Sequence, residues 1–339
     1  MAKIAVIGTT TWGLTLGIIL ARNGREVSVL ARREEEAATL TTAKMSPDKL
    51  PGITFPPNLR FTASPDAALS DAALVIIAVP SQTFRANVLA IREHLGPQMI
   101  ILSASKGLEA ATSLRMSQVL QEELDPSWHD NICVLSGPNL ALEIAQGMPS
   151  TTVVAAKQHA IADRVQEMVM TPNFRVYSHN DMVGVELGGA LKNIIALGAG
   201  ISDGWGYGAN AKAAFMTRGL AEITRLGVAA GANPLTFAGL SGLGDLVATC
   251  TSRLSRNRYV GEELARGRSL QDILANLHHV AEGVDTTRAA LRLAAPHKIE
   301  MPIAQQMYRV LFEGLDPRQA GRELMEREPK RELLGLAET

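Results

Sequence analysis

The sequence predicts an α/β protein in which a mostly parallel sheet domain is followed by an all-helical C-terminal domain. Over the first 180 residues, short β-rich runs alternate with helical patterns, which is typical of a parallel sheet covered on both faces. The chain opens on a strand, a glycine turn, a helix and a second strand. Beyond Asp181 the strand pattern disappears. We therefore predict two domains, residues 1–180 and 181–339.

The N-terminal stretch predicts a βαβ unit. Lys3 to Ile7 is a β-branched run that ends at Gly8, as a strand buried on both faces does. Small and apolar residues follow at helical spacing from Trp12 to Asn23, and a second β-rich run covers Glu26 to Ala31. In such a unit the helix N-terminus directs free N–H groups and its positive dipole end at a pyrophosphate. This predicts a Rossmann-like, nucleotide-binding domain.

The glycine fingerprint of that unit is incomplete. The pattern G-x-G-x-x-G requires glycine at positions 8, 10 and 13, and the chain has Gly8, Thr10 and Gly13. Gly8 suits the tight turn and Gly13 the close packing of helix on strand, whereas Thr10 places a branched Cβ where backbone should approach phosphates. We expect the loop still to bind a dinucleotide, with a slight backbone displacement around Thr10. The alternative is an ordinary βαβ unit without a ligand.

The remaining elements follow in order. After Arg33 a charged stretch to Lys49 predicts a helix, and a proline-rich connection follows it. Further strands are predicted at Leu59–Thr62, Ala73–Ala78, Met99–Ser103, Ile132–Leu135, Thr151–Ala155 and Phe174–Tyr177, with helices at Phe84–His94, Ser113–Glu123 and Asn139–Gln146. The helical half is predicted at Met182–Ile201, Ala211–Ala230, Tyr259–Arg266, Leu270–Leu277, Thr286–Ala295, Ile303–Gly314 and Arg318–Arg327, with His278-His279 on a loop or helix end. A ligand cleft is expected at the carboxyl ends of the strands, where the halves meet.

Composition excludes several classes of function. A chain of 339 residues with 46% hydrophobic residues can bury two substantial cores. Its net charge of -1 and the lack of a basic tail argue against nucleic-acid binding. Cys133 and Cys250 have neither disulfide-framework nor metal-ligand spacing, and no other grouping suggests a metal. We expect a reducing, cytoplasmic environment.

Two apolar stretches could be mistaken for membrane or export signals. The N-terminal run is interrupted at Gly8 to Gly13 and has one basic residue before it, so it does not resemble a signal peptide. The segment Val183 to Ile201 contains Glu186 and Lys192, which argues against a membrane span. We predict a soluble protein.

Arg32 and Arg33 follow the second strand, where a dinucleotide-binding protein normally has an acidic residue for the ribose hydroxyls. Guanidinium groups offer planar, paired donors that suit a 2′-phosphate. The pair therefore favours NADP or dual specificity, although Glu34 could still serve a ribose. The alternative is a solvated basic pair at the start of a charged helix.

Two loops that follow strands carry candidate ligand-binding residues. Lys106 lies in Ser103-Ala104-Ser105-Lys106-Gly107, and it is either an anion or substrate ligand or a solvated loop lysine. Ser136-Gly137-Pro138-Asn139 follows the next strand and opens a helix, with Asn139 as a suitable N-cap. Simple capping is the alternative there.

The helical half contains three candidate chemical groups. Lys192 interrupts a helix of small and apolar residues, and a positioned lysine ammonium can protonate a ketone oxygen while hydride reaches the carbon. Asp245, in Gly242-Leu243-Gly244-Asp245, could orient Lys192 or hold a substrate hydroxyl, or it could be a helix N-cap. Ser255-Arg256-Asn257-Arg258 combines the components of a phosphate site, with a capped, solvated helix start as the alternative.

These motifs resemble those of the NAD(P)-dependent soluble glycerol-3-phosphate dehydrogenases of bacterial type, from Lys3 to about Arg327. The motifs are Gly8…Trp12-Gly13, Ser105-Lys106-Gly107-Leu108-Glu109, Ser136-Gly137-Pro138, Gly188-Gly189-Ala190-Leu191-Lys192-Asn193, Gly242-Leu243-Gly244-Asp245-Leu246 and Ser255-Arg256-Asn257. The resemblance implies reversible reduction of dihydroxyacetone phosphate to sn-glycerol 3-phosphate with NADP(H) and/or NAD(H), which supplies glycerophospholipid synthesis. It leaves a homodimer possible.

The resemblance also implies roles for individual residues. Lys192, Asp245 and Lys106 correspond to the catalytic residues. The implied cofactor-binding residues are Gly8, Thr11, Trp12, Gly13, Arg32, Arg33, Lys106, Ala141, Arg256, Val280 and Glu282. The implied substrate-binding residues are Lys106, Gly137, Asn139, Lys192, Asn193, Asp245, Ser255, Arg256 and Asn257. The chain departs from the family at Asn139, where Ser or Thr is usual, and at Thr10.

Two other functions fit part of the sequence. A hydroxy-acid or ketopantoate-type dehydrogenase would share the architecture, although the cluster beginning at Ser255 favours a phosphorylated substrate. An inactive dinucleotide-binding sensor would explain Thr10.

Overall fold

The structure is a computed structural model that describes residues 3–277, 280–329 and 332. The predicted position of His278 and His279 lies outside the described residues. The chain divides into two compact units, one formed by Met1–Ser105 and Met116–Met182, the other by Lys106–Arg115 and Val183–Thr339. Residues 106–115, which the sequence placed in the first domain, therefore pack with the second unit.

The first unit is built on an eight-stranded sheet in the order β10-β9-β8-β7-β6-β1-β2-β5. Its strands are β1 (Lys3–Ile7), β2 (Val27–Leu30), β5 (Leu59–Thr62), β6 (Ala72–Ile77), β7 (Ile100–Ser103), β8 (Ile132–Ser136), β9 (Ser150–Ala156) and β10 (Phe174–His179). All neighbouring pairs are parallel except β8 and β9. The predicted mostly parallel, Rossmann-like sheet is confirmed.

Helices cover the sheet and pack its apolar faces. They are α1 (Thr11–Arg22), α2 (Glu34–Ala43), α3 (Pro65–Leu69), α4 (Phe84–Ile91), α5 (Met116–Glu123), α6 (Ala141–Ala145) and α7 (His159–Val169). One core cluster joins α1 and α7 to the buried residues of β1, β2 and β9. The predicted alternation is confirmed, and α3 and α7 are additional to it.

Several predicted helices differ at their ends. The charged helix ends at Ala43 rather than Lys49, because Lys44 adopts the left-handed conformation and the chain enters a hairpin of β3 (Met45–Ser46) and β4 (Leu50–Thr54). The helix predicted from Ser113 begins at Met116, because the preceding residues form a separate turn. The helix predicted from Asn139 begins at Ala141.

The second unit is helical. Its helices are α8 (Met182–Gly204), α9 (Ala209–Ala229), α10 (Pro234–Phe237), α11 (Asp245–Thr251), α12 (Arg256–Ala265), α13 (Leu270–Ala275), α14 (Glu282–His297), α15 (Pro302–Phe312) and α16 (Pro317–Met325), with a π-helical turn at Leu240–Gly244. The predicted all-helical half is confirmed. Although α8 is long and apolar enough to cross a membrane, 83% of its most apolar window is buried inside the protein, as in the core helix of a globular unit.

Candidate active site

Two lysines share one buried carboxylate in the second unit. Asp245 is the first residue of α11, and only 1% of its surface is exposed. Lys192 Nζ lies 2.5 Å from its Oδ1, and Lys106 Nζ lies 2.7 Å from its Oδ2. The N-cap of α11 is Gly244, so the interpretation of Asp245 as a helix cap is wrong. The structure thus brings together the three residues predicted to be catalytic.

Thr249 completes this cluster, and its role was not predicted from the sequence. Lys192 donates a hydrogen bond to the Thr249 hydroxyl. That hydroxyl in turn donates a hydrogen bond to Asp245 Oδ1 over 3.2 Å. Asp245 and Thr249 are four residues apart on α11 and so lie on the same helix face. That spacing was the available signal in the sequence.

The cluster carries two positive charges against one negative charge. Burial is the largest cause that lowers the pKa of Lys106, the neighbouring Lys192 charge also lowers it, and Asp245 opposes both, which leaves the pKa at about 8. A buried cationic group suits an anionic substrate, and an ammonium group whose pKa is near neutrality can give up a proton. The cluster can therefore bind an anion and supply a proton.

Two asparagines connect three helices beside Lys192. Asn257 Nδ2 donates to Asn193 Oδ1 over 2.9 Å, and Gly283 N donates to Asn257 Oδ1 over 2.9 Å. Both asparagine side chains are buried. This chain of hydrogen bonds ties α8, α12 and the start of α14 together, so the structure places two of the predicted substrate-binding residues in contact with each other.

The start of α12 has the composition predicted for a phosphate site. Ser255 is its N-cap and accepts a hydrogen bond from Arg258 N over 3.3 Å, as the capping alternative predicted. Arg256 is exposed in the first turn, and the Glu282 carboxylate at the start of α14 interacts with it electrostatically. Val280, just before α14, is exposed. The capping role leaves the phosphate role of Ser255 a prediction.

In the first unit, the loop from Gly8 to Gly13 requires its two glycines. Gly8 has φ +104°, and a Cβ there would lie 2.6 Å from a methyl carbon of Val79. A Cβ on Gly13 would lie 2.3 Å from Gly8 O. These close approaches account for the two fingerprint glycines that are present.

Thr10 is the N-cap of α1, a role that the glycine fingerprint does not indicate. Its hydroxyl accepts a hydrogen bond from Gly13 N over 3.0 Å and donates to Ala78 O over 2.6 Å. Threonine is among the preferred N-cap residues. Thr10 therefore stabilises the helix start that a glycine would leave uncapped.

The same helix start fits the phosphates of a dinucleotide. The first turn of α1, which begins at Thr11, contains no acidic residue. Trp12 Nε1 is buried and has no hydrogen-bond partner in the described part of the chain. An anion at a helix N-terminus would meet N–H donors and the positive dipole end. The residues present therefore fit NAD(P).

Arg32 and Arg33 are exposed after β2, as expected of residues that could contact a cofactor phosphate. Close to them, Glu36 accepts a hydrogen bond from Thr9 over 2.6 Å and forms an ion pair with Lys49 at 3.1 Å. Burial raises the pKa of Glu36, but the Thr9 and Lys49 hydrogen bonds outweigh burial and hold it below its usual range. This group was not predicted from the sequence, because its members are distant in sequence.

The loop after β8 carries the remaining predicted residues. Gly137 has φ +153°, and a Cβ there would lie 3.0 Å from Thr152 Cα. Asn139 donates to Thr151 O over 3.3 Å, and Thr152 donates to Asn139 Oδ1 over 3.1 Å, so the prediction of Asn139 as an N-cap is wrong. Ala141 begins α6, and its carbonyl accepts a hydrogen bond from Thr15 of α1.

Among the described residues, no group of three or more His, Cys, Asp or Glu side chains could hold a metal ion.

Family models match nearly the whole chain. The model described as NAD-dependent glycerol-3-phosphate dehydrogenase N-terminus matches residues 3–162, and the one described as the C-terminus matches residues 181–322. A relative from Dehalococcoides mccartyi named glycerol-3-phosphate dehydrogenase (NAD(P)+) is 53% identical over 99% of this chain and 94% of the relative. One of the same name from Chlorobium limicola is 48% identical over 97% of this chain and 99% of the relative.

Comparison with solved structures supports the same family. A glycerol-3-phosphate dehydrogenase from Coxiella burnetii has a TM-score of 0.90 and 36% identity, and the match covers 96% of this chain and 99% of that one. A ketopantoate reductase from Ralstonia eutropha has a TM-score of 0.58 at 16% identity, over 94% of this chain and 99% of that one, which shows a shared fold alone. The chain belongs to the NAD-dependent glycerol-3-phosphate dehydrogenase family.

Proposed function

We propose that this protein catalyses the reversible, NAD(P)H-dependent reduction of dihydroxyacetone phosphate to sn-glycerol 3-phosphate. The observation that carries the proposal is the pair of lysine ammonium groups, Lys106 and Lys192, held on the single buried carboxylate of Asp245. Ketone reduction requires a proton donor at the carbonyl oxygen, and this arrangement supplies one. The names of the family and of the relatives agree with this reaction.

Lys192 is the proton donor in this proposal. Its ammonium is the more deeply buried of the two, with 7% of the side chain exposed, and both Asp245 and Thr249 orient it. A donor that is fixed in this way loses little entropy when the carbonyl oxygen arrives. When bound, a reduced nicotinamide supplies the hydride to the carbonyl carbon.

Lys106 and the start of α12 bind the charged part of the substrate in this proposal. Lys106 has the more exposed ammonium, with 18% of its side chain accessible, so it can meet substrate and cofactor. Arg256 and Ser255 provide a guanidinium and a hydroxyl at a helix N-terminus, which suits a phosphate. Asn257 is proposed to belong to the same phosphate site, and Asn193, which accepts a hydrogen bond from Asn257, is proposed as a further substrate contact. Gly137 and Asn139 are proposed as further substrate contacts.

The cofactor is proposed to be NADP(H), NAD(H) or both, bound to the first unit. Gly8, Thr11, Trp12 and Gly13 would hold the pyrophosphate at the start of α1. Arg32 and Arg33 would meet the adenosine end, where their exposed guanidinium groups favour a 2′-phosphate. Ala141, Val280 and Glu282 are proposed as additional cofactor contacts.

We further propose a soluble, cytoplasmic enzyme whose product supplies glycerophospholipid synthesis. Cys133 and Cys250 are free and buried, which is compatible with a reducing compartment. A homodimer is compatible with the family resemblance, and sedimentation of the purified protein measures it directly.

One spectrophotometric assay tests the proposal. The oxidation of NADPH and NADH is followed by the absorbance of the reduced nicotinamide, with dihydroxyacetone phosphate and with other phosphorylated and unphosphorylated ketones. We expect turnover that depends on dihydroxyacetone phosphate and falls by about 100-fold or more in Lys192→Met. Near-wild-type turnover in that variant would remove Lys192 from the mechanism. A preference for ketopantoate, or no reaction with any ketone, would overturn the proposed function.

A further inference from the structure

Lys106 begins a turn that is closed by backbone hydrogen bonds, here called the Lys106 hairpin (residues 106–115). Leu108 and Arg115 form an antiparallel bridge, and Glu109 N donates to Leu114 O over 3.0 Å. Ser113 N also donates to Glu109 O over 2.7 Å. The hairpin is therefore a defined unit rather than an open loop.

Besides the ion pair of Lys106 with Asp245, other contacts fix the Lys106 hairpin to the helical unit. Leu108 is fully buried in the apolar core around α8. Arg292 of α14 donates to Ala111 O over 3.0 Å. Arg115 and Glu186 of α8 form an ion pair at 2.5 Å, with only 16% and 7% of their side chains exposed. The ion pair joins the hairpin to α8, the helix that also carries Lys192.

Lys106 is the first residue of the hairpin. The next residue, Gly107, has φ +152°, a conformation that other residues rarely adopt. The Leu108–Arg115 bridge follows directly, so contacts of the hairpin beyond Gly107 act on the position of Lys106 together with its own contact to Asp245. The short distance from Lys106 Nζ to Asp245 therefore depends on how the hairpin is held.

Glu186 and Lys192 lie six residues apart on α8, about 9 Å along its axis. One rigid helix thus presents Lys192 to Asp245 directly and also holds the hairpin that brings Lys106 to the same carboxylate. We propose that the Arg115–Glu186 ion pair is a positioning device that fixes the Lys106 ammonium against Asp245. Its catalytic consequence rests on the proposed function.

A buried ion pair is sensitive to the loss of either partner, because the remaining charge is left uncompensated. Loss of Arg115 should therefore release the hairpin end that follows Lys106. Asp245 of α11 and Lys192 of α8 are charged groups that act on Lys106, and burial is the largest cause of its lowered pKa of about 8. A released Lys106 would become hydrated, and its pKa would move towards its usual value of about 10.4.

The test is pH-dependent labelling of the full-length protein with acetic anhydride, followed by mass spectrometry of the Lys106 and Lys192 peptides. In Arg115→Met we expect the apparent pKa of Lys106 labelling to rise by about one unit or more, while the extent of labelling of the Lys192 peptide changes less. Arg115→Lys, which keeps the charge, should restore part of the wild-type value. Lys212→Met is the matched control, because it breaks an ion pair to Asp203 of the same helix without touching the hairpin.

Kinetics provide the second readout. Arg115→Met is expected to lower kcat/KM for dihydroxyacetone phosphate by about tenfold while Lys212→Met remains within about twofold of the wild type. If Arg115→Met does not fold, Glu186→Gln tests the same ion pair with a nearly isosteric side chain. Unchanged labelling of Lys106 in a folded variant overturns the proposal. Wild-type protein that fails to reduce dihydroxyacetone phosphate would refute the proposed function, whereas the labelling would still decide the positioning role.

Discussion

At the scale of single residues, Asp245 determines the chemistry of the helical unit. Without it, no carboxylate would offset the Lys192 charge, which lowers the pKa of the buried Lys106. Asp245 accepts a hydrogen bond from each lysine with a different carboxylate oxygen and so orients both side chains. The carboxylate is thus a structural requirement for both lysines.

Replacing the Asp245 carboxylate should impair activity more than replacing the neighbouring Thr249 hydroxyl. We expect Asp245→Asn to lower kcat for dihydroxyacetone phosphate reduction by about 10²–10⁴-fold, because the lysines lose their counter-charge and one acceptor oxygen. Thr249→Val, which keeps the carboxylate, is the matched variant and should cost about tenfold. Steady-state kinetics of both variants check the order. Equal effects would indicate that the hydroxyl, rather than the charge, orients Lys192.

Thr10 has a structural role at the same scale. Its hydroxyl caps α1 and bonds the carbonyl of Ala78, so its removal leaves a helix N–H and a carbonyl unpaired. We expect Thr10→Ala to lower the free energy of unfolding by about 1 kcal/mol, whereas Thr10→Ser, which can form the same bonds, should stay close to the wild type. Denaturant unfolding measures both. An undiminished stability in Thr10→Ala would mean that water replaces the cap.

At the scale of elements, the crossing of α8 and α12 positions the start of α12. A Cβ on Gly200 would lie 1.9 Å from Arg258 O, and one on Gly261 would lie 1.8 Å from Leu197 O. The two backbones therefore meet without intervening side chains. This close approach allows Asn257 at the start of α12 to reach Asn193 of α8.

Adding a methyl group where α8 and α12 cross should lower the free energy of unfolding. We expect Gly261→Ala to destabilise the protein by about 2–3 kcal/mol, because backbone rather than a flexible side chain must move. Gly321→Ala is the matched control: it is also a helical glycine, and its nearest neighbour is Trp205 at 3.6 Å. That variant should gain up to about 1 kcal/mol from helix propensity. Similar unfolding midpoints for the two variants would contradict this description of the crossing.

At the scale of the whole molecule, a buried carboxylate makes stability depend on pH. Glu222 of α9 is 1% exposed and accepts hydrogen bonds from Ile303 N and Ala304 N at the start of α15, over 2.8 and 2.9 Å. Burial raises the pKa of Glu222 to about 7, although these two N–H groups and Arg225 lower it. Because the pKa is higher in the folded than in the unfolded protein, folding favours the protonated form.

Stability should therefore fall as pH rises from the unfolded value of 4.5 through about 7. The contribution of this one group is on the order of 3 kcal/mol over that window. We expect the difference in unfolding free energy between the wild type and Glu222→Gln to change with pH from 5 to 8 and to be constant above it. Urea unfolding at a series of pH values measures the difference. A constant difference throughout the window would show that Glu222 is ionised in the folded protein at all these pH values.

Much of the fold could be predicted because its signals are local. Short β-branched runs such as Lys3 to Ile7 predict strands wherever they occur, and the loss of that pattern after Asp181 predicts a helical half. The antiparallel pairing of β8 with β9 could not be predicted, because strand direction depends on how the connection crosses the sheet. The end of α2 at Ala43 was not predicted either, because the residue type of Lys44 does not indicate a left-handed backbone conformation.

The sequence alone was sufficient to assign the chain to a family and to name Lys106, Lys192 and Asp245 as candidates, because motif spacing survives in the linear order of residues. It could not determine which groups contact each other. The cluster joins residues up to 139 positions apart, and Thr249, the Arg115–Glu186 pair and the cap at Thr10 take their roles from such contacts. Packing decides these contacts, because a hydrogen bond or ion pair forms only where the fold brings donor and acceptor within reach.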